Sequence, residues 1–395
     1  MGRYNDIIKE VGMKKRLVFI SNMAAPYQVK FCYALQEHFD AEFWFYEHVS
    51  SKRPAWWAIP LGGKCRVFDG VYGKRSQKYV CAGVGAALAK FDPDIVMLGG
   101  PTIPANYMAY LWAKRHRKKT VLFSESFRRD GQMKTSWIFS RLLPWLYQGI
   151  DLLMAPGGDS ATYFREMTNF DKGRIVETSY PFDIDAYWTH SIRKQKDAYT
   201  YLFSHRLEPL FNPMMALDIF ADVLAKYPGS RMHMNAQGSM RAAAQERIRE
   251  LGLAATVSFL DDITSWKGLS DVYNQADISL SPCLSVCNNG CMSIIEAAVS
   301  GCGLVISDQM PFNPGAARES GGGFVVPPNK ESFLWAVDQY VENPDLFRIH
   351  AERSRSYFET YRMRSLARRD AELFYGRLFN QPVPASTDGQ VEMNG

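Results

Sequence analysis

Ser281–Ser307, SPCLSVCNNGCMSIIEAAVSGCGLVIS, reads as a short strand, a loop of small residues, a helix and a second strand. Asn288, Asn289, Gly290 and Cys291 carry short side chains, so a ligand can approach their backbone closely. The helix is expected to begin at Met292 or Ser293. Its free N–H groups and positive dipole end then face the loop, an arrangement that binds anions and phosphate above all. Glu296 falls about one turn in, within reach of hydroxyls beside a bound phosphate. Gly301 and Gly303 turn the chain into the apolar strand Leu304–Ile306. Every strand-loop-helix unit has such a helix end, so the stretch alone leaves plain architecture open beside an anion site.

The bulk properties bound what surrounds this unit. A chain of 395 residues exceeds one ordinary core, and two domains are expected. A hydrophobic share of 47% and a charged share of 22% are those of a globular protein. No apolar run approaches the about 18 residues of a membrane span, and no export signal is expected at the N-terminus. Seven cysteines, an odd number, suggest reduced thiols in a cytoplasmic protein. Cys283, Cys287 and Cys291 have no His nearby and match no metal-ligand spacing, so no metal site is expected. The net charge of +5 is too mild to imply nucleic acid. Its distribution is more telling. Lys114, Arg115, Arg117, Lys118 and Lys119 cluster, with Arg128, Arg129 and Lys134 soon after. That is either a solvated helix end or a face for anionic lipid.

Apolar runs alternate with helical spacing along the chain. Strands are expected at 17–21, 41–46, 94–98, 120–124 and 152–155. Helices are expected at 27–38, 78–90, 105–116, 136–148 and 158–167. Residues 50–75 read as irregular. Trp56 and Trp57 there form either a local plug or a contact for a ligand or membrane. The alternation implies a parallel sheet covered on both faces, with ligands at the C-terminal strand ends. A boundary is expected near 180–197. From Tyr199 a second alternation runs through strands at 199–204, 231–234, 256–259 and 277–280, with helices at 213–226, 240–250 and 266–275 between them. A loop at 309–315, a strand in GGGFVVPP and helices to about 379 follow, then a disordered tail.

From Arg206 to about Phe347, four blocks occur in order: FSHRLEPLFNPMMALDIFADVLAKYP, VSFLDDITSWKGLSDVYNQADISLSP, IIEAAVSGCGLVISD and GGGFVVPPNKESFLWAVDQYVENPDLF. Together they resemble the second domain of the nucleotide-sugar glycosyltransferases with two facing Rossmann-like domains, the GT-B fold, specifically retaining family 4. APYQVKFCYAL and YPFDIDAYW look like that family's opening loop and inter-domain segment. The resemblance implies a flexible 1–12, an acceptor domain over 13–180, and a nucleotide-sugar domain over 182–343. It also implies C-terminal helices at 345–379 that cross back to the first domain, ahead of the tail 380–395.

The resemblance also implies roles. A diphosphate leaving group gains negative charge as the sugar–phosphate bond breaks, and a metal-free site must stabilise it with helix N–H groups and cations. Arg206 would clamp the diphosphate. The backbone of Gly290, Cys291 and Met292, with Asn289 and Ser293, would donate N–H groups. Glu296 would hold the ribose. Gln237 and Gly238 lie where the family binds nucleotide, and Leu260 where it contacts the base. On the first domain, Asn22, Glu125, Arg128 and Asp130 are candidates for the acceptor side, Glu125 as an activating group. Two positions depart from the pattern. Asn288 replaces the first of two glutamates, and Phe211 replaces a lysine. Lys267, His205 or Arg318 would then have to restore the missing charge.

The expected protein is therefore a cytoplasmic α/β glycosyltransferase with no cofactor. Its donor is a nucleotide sugar, of UDP type, and its acceptor a hydroxyl of a glycan or lipid-linked glycan in surface polysaccharide or lipopolysaccharide synthesis. A peripheral contact with the inner membrane surface is part of that expectation. Two alternatives stand: a non-catalytic glycosyltransferase-like binding protein, supported by Asn288 and Phe211, and a nucleotide-sugar 2-epimerase on the same fold.

Overall fold

A computed structural model describes residues 13–50, 53–76, 78–100, 102–124, 137–187, 198–284, 292–310, 313–359 and 361–384. Two parallel sheets organise them. The first contains β1 (Arg16–Met23), β2 (Asp40–Glu47), β3 (Cys65–Val67), β4 (Ile95–Gly99), β5 (Lys119–Phe123), β6 (Leu152–Pro156) and β7 (Ile175–Thr178). Their order is β3-β2-β1-β4-β5-β6-β7. The second contains β8 (Thr200–Phe203), β9 (Arg231–Met234), β10 (Val257–Phe259), β11 (Ile278–Ser281), β12 (Gly303–Ser307) and β13 (Phe324–Val326), in the order β10-β9-β8-β11-β12-β13.

The central strands are buried on both faces, which is why Leu17–Ile20, Ile95–Leu98 and Gly303–Ser307 read as unbroken apolar or small runs. One face of the first sheet packs under Val84, Leu88, Tyr110, Leu146 and Phe164. The other packs under Val29, Leu35 and Phe39. The same polar device aligns strands in both sheets. A carboxylate just ahead of one strand accepts the N–H that opens its neighbour: Asp94 from Arg16 at 2.9 Å, and Asp277 from Thr200 at 2.7 Å.

The structure departs from the sequence expectations at the sheet edges. β3 and β7 close the two edges of the first sheet, and neither is expected from the sequence. Both are short and only partly buried, so they lack the apolar run that marks a central strand. The helix expected over 78–90 begins at Gly83, because 79–81 is extended. Tyr72 and Val80 exchange backbone hydrogen bonds of 3.0 Å, and the Tyr79 hydroxyl donates to the buried Glu47. The loop expected at 309–315 already starts a helix, Asn313–Ser320.

The return to the first lobe starts later than expected. The helix Pro344–Glu359 stays on the second lobe, where Phe347, Ala351 and Phe358 join its core. Only the helix Met363–Phe374 and the π-turn Tyr375–Phe379 cross back. Leu366, Ala371 and Phe374 enter the first lobe's core, and Tyr375 stacks on Phe39 at 5.2 Å. Ion pairs tie the inter-lobe segment to the first lobe and to the returning helix: Asp183 with Lys30, and Asp185 with Arg362.

Candidate donor site at the second sheet's switch point

In an open parallel sheet, ligands lie beyond the C-terminal strand ends where the strand order reverses. In the second sheet that point lies between β8 and β11. The loop after β8 carries His205 and Arg206. The chain after β11 leads to the helix Met292–Val299.

His205 joins these pieces. Its Nε2 lies 2.8 Å from Ser281 Oγ at the end of β11, and its Nδ1 lies 3.2 Å from Ser293 Oγ at the start of the helix. Phe211, in the single turn Pro209–Phe211, covers its ring face. Burial pushes the imidazole pKa down to about 4, so it is neutral near pH 7. His205 therefore positions the site and does not supply the charge missing at Phe211. Lys267 does not supply it either: it stays exposed and pairs with Asp271 one helical turn away, at 3.0 Å. Arg318 is exposed on the helix Asn313–Ser320.

Arg206 is exposed and, among the described residues, joins no ion pair. Its loop is locked from beneath. Leu207 N–H donates to the Gln237 carbonyl at 2.7 Å, and Met240 N–H donates to the Leu207 carbonyl at 2.8 Å. Gly238 makes that contact possible. It has φ +142°, and a Cβ there would lie 2.3 Å from the Leu207 carbonyl oxygen. Gly238 thus sets the height of the Arg206 loop. Gln237 is exposed, its N–H bonded to Asn235 Oδ1 at 2.8 Å. Leu260 follows β10, half-buried, its N–H bonded to the Met234 carbonyl at 2.8 Å.

Glu296 is buried among the second lobe's helices, only 9% exposed. Burial raises its carboxyl to about 7, against the opposing pull of the Tyr273 and Tyr187 hydroxyls. Tyr273 is the firmer partner, since the Tyr187 hydroxyl makes no hydrogen bond of full geometry. Tyr187 belongs to the inter-lobe segment, so Glu296 couples that segment to the helix after the loop.

On the first sheet the equivalent reversal lies between β1 and β4. Asn22, expected in a loop, is the penultimate residue of β1. Its Oδ1 accepts from Met23 N–H at 2.8 Å. Asn106, which is buried, donates to the Gly99 and Gly100 carbonyls at 3.1 and 2.9 Å and fixes the facing loop. Glu125, Arg128, Asp130, Asn288, Asn289, Gly290 and Cys291 lie outside the described residues, as do Arg129 and Lys134.

The tryptophan pair is neither a local plug nor a free surface. Trp56 and Trp57 reach across to Trp266, the first residue of a second-lobe helix, with ring centroids 5.0 and 4.9 Å apart. Neither pattern nor spacing in the sequence connects residues so far apart.

Residues 188–357, which make up most of the second lobe, match the family model described as glycosyl transferases group 1. The fold is GT-B. Anabaena Alr3699/HepE, solved with UDP and glucose, superposes with a TM-score of 0.68 at 14% identity over 92% of this chain and 100% of that one. WaaG, a glycosyltransferase involved in lipopolysaccharide biosynthesis, gives 0.63 at 13% identity over 91% and 100%. A putative UDP-N-acetylglucosamine 2-epimerase from Listeria monocytogenes gives 0.65 at 14% identity over 94% and 98%. No curated protein matches the chain by sequence.

Proposed function

We propose that this protein transfers a glycosyl group, with retention and without a metal, from a nucleotide-diphosphate sugar to a hydroxyl of a glycan or lipid-linked glycan. The observation that carries the reading is the switch point, where Arg206 stands exposed on a loop that Gly238 seats from beneath and His205 ties to the start of the helix Met292–Val299. A guanidinium beside helix N–H groups stabilises a departing diphosphate through charge-assisted hydrogen bonds made strongest as charge develops. The UDP bound in the HepE structure supports UDP as the nucleotide. Asn289, Gly290, Cys291, Met292 and Ser293 take the phosphates, Gln237, Gly238 and Leu260 flank the nucleoside, and Glu296 reaches the ribose. In a front-face displacement the leaving phosphate accepts the acceptor's proton, so no strong base is needed. Asn288 then contacts the donor sugar as an amide, while Asn22, Glu125, Arg128 and Asp130 orient the acceptor.

We further propose that the acceptor lobe docks on an anionic membrane at the cytoplasmic face. No helix among the described residues is long and apolar enough to cross a membrane. Two neighbouring helices, Pro104–Arg115 and Trp137–Gly149, expose Met108 and Leu111, and Leu142 and Trp145. Trp145 packs edge-on against Tyr110 at 5.2 Å, which brings the two helices together. Arg115, Arg117 and Arg141 are exposed alongside. Lys114 and Lys118 are paired with Asp151 and Asp92 and add less charge than the sequence suggests. Exposed apolar groups rimmed by cations suit an anionic lipid surface.

Calorimetry with UDP- and GDP-sugars, paired with a donor-consumption assay, tests the transferase reading. Transfer that requires an acceptor is expected. Binding without turnover favours the non-catalytic alternative. Donor isomerised without acceptor favours the 2-epimerase, whose fold the Listeria structure shares.

A further inference from the structure

The first lobe places a cation of its own at the lobe junction. His48 Nε2 lies 2.8 Å from the Ile59 carbonyl and closes the base of the loop between them. Within the loop, Arg53 N–H donates to the Ser50 carbonyl at 2.8 Å. The Arg53 guanidinium lies over the Trp57 ring, 4.6 Å from its centroid. Trp57 in turn packs on Trp266 of the second lobe at 4.9 Å. The guanidinium is thus held by an indole that is itself wedged against the opposite lobe.

Arg53 is reached by solvent, yet the protein around it strips part of the water from its guanidinium. That desolvation is the larger cause of a lowered pKa. Tyr27, at the start of the helix after β1, opposes it, and the positive charge of Arg206 adds to it. Arg206 of the second lobe is thus near enough for its charge to act on Arg53, which the Trp57–Trp266 contact holds at the lobe junction. Among the described residues neither guanidinium forms a salt bridge with a carboxylate. Glu208, held by Ser239, feels the Arg206 charge but bonds neither guanidinium, and an anion between two like charges lessens their repulsion while gaining charge-assisted hydrogen bonds from both.

We propose that Arg53 is the second guanidinium of the donor diphosphate site, contributed by the first lobe in place of the cation absent at Phe211. This rests on the transferase reading. Trp57 and Trp266 are positioning residues: they touch no phosphate but hold Arg53 where it meets one. The site is complete only while the two lobes are joined through the indoles.

Calorimetry on the full chain with UDP, UMP and uridine, for wild type, Arg53→Ala and Arg53→Lys, tests the proposal. Arg53→Ala is expected to weaken UDP binding by about tenfold or more and leave uridine unchanged. Arg53→Lys is expected to recover part of the loss. Trp266→Phe keeps an aromatic wedge and is expected to weaken UDP less than Arg53→Ala does. UDP affinity within about twofold of wild type in Arg53→Ala overturns the proposal. So does an equal loss for uridine, which would mark a structural role. If wild type binds none of UDP, GDP and ADP, the transferase reading itself fails and this proposal with it.

Discussion

Phe211 lies face-on against His205, ring centroids 4.9 Å apart and planes 10° apart. The residue that stands where the resemblance implies a lysine is thus a lid on a neutral imidazole, and that imidazole bridges Ser281 and Ser293. Phe211→Ala is expected to cost about 3 kcal/mol in urea denaturation. Phe211→Lys, which puts a cation against the buried ring, is expected to cost at least about 2 kcal/mol. An unchanged midpoint in both variants would show that the stack is not structural.

Arg206→Ala removes an exposed guanidinium that forms no ion pair among the described residues, so folding should be unaffected. Turnover is expected to fall by about 100-fold. A wild-type rate from a folded Arg206→Ala protein would remove Arg206 from the site.

Gly238 and Gly252 give a matched comparison. Both have positive φ, but nothing lies within 4 Å of a Cβ at Gly252, whereas one at Gly238 meets the Leu207 backbone. Gly252→Ala is expected to cost about 1 kcal/mol of backbone strain. Gly238→Ala should cost clearly more and also weaken UDP binding, since it moves the loop that carries Arg206. Equal thermal shifts in the two variants would contradict the clash.

Stability should depend on pH through Glu296. Its unfolded carboxyl titrates near 4.5 and its folded one near 7. Between those values the folded protein holds a proton that the unfolded chain releases. Stability is therefore full below about 4.5 and falls as pH rises to 7, by about 3 kcal/mol. Asp370, raised to about 7 by burial, acts in the same direction. His205 acts oppositely, losing stability as pH falls from 6.5 through 4. Melting of Glu296→Gln against wild type from pH 4 to 8 cancels the other two. The variant should match wild type at the acid end and exceed it at pH 8. Parallel curves would show that Glu296 ionises normally.

Charge and apolar contact on the first lobe should act together. Leu111→Ser with Trp145→Ser, or Arg115→Ser with Arg117→Ser, is expected to reduce sedimentation with anionic vesicles. The arginine pair should matter mostly at low salt. Wild-type protein that ignores anionic vesicles at low salt would discard the docking face.

The interior of each sheet was legible because a strand buried on both faces must be apolar along its whole length. Leu17–Ile20 and Leu304–Ile306 show this, and Trp266–Gln275 shows the matching helical spacing. The edge strands β3 and β7 were not legible, since half-exposed strands of three or four residues carry no such pattern.

The amino-acid order alone determined the βα alternation, the two sheets and the blocks around Arg206 and Glu296, because local periodicity and turn chemistry are written residue by residue. Only the tertiary structure decided that His205 is neutral, that Glu296 is buried against tyrosines, and that Trp57 holds Arg53 against the other lobe. Burial and the meeting of distant side chains are properties of the packed chain. They depend on which surfaces exclude water from one another, and no local stretch specifies that.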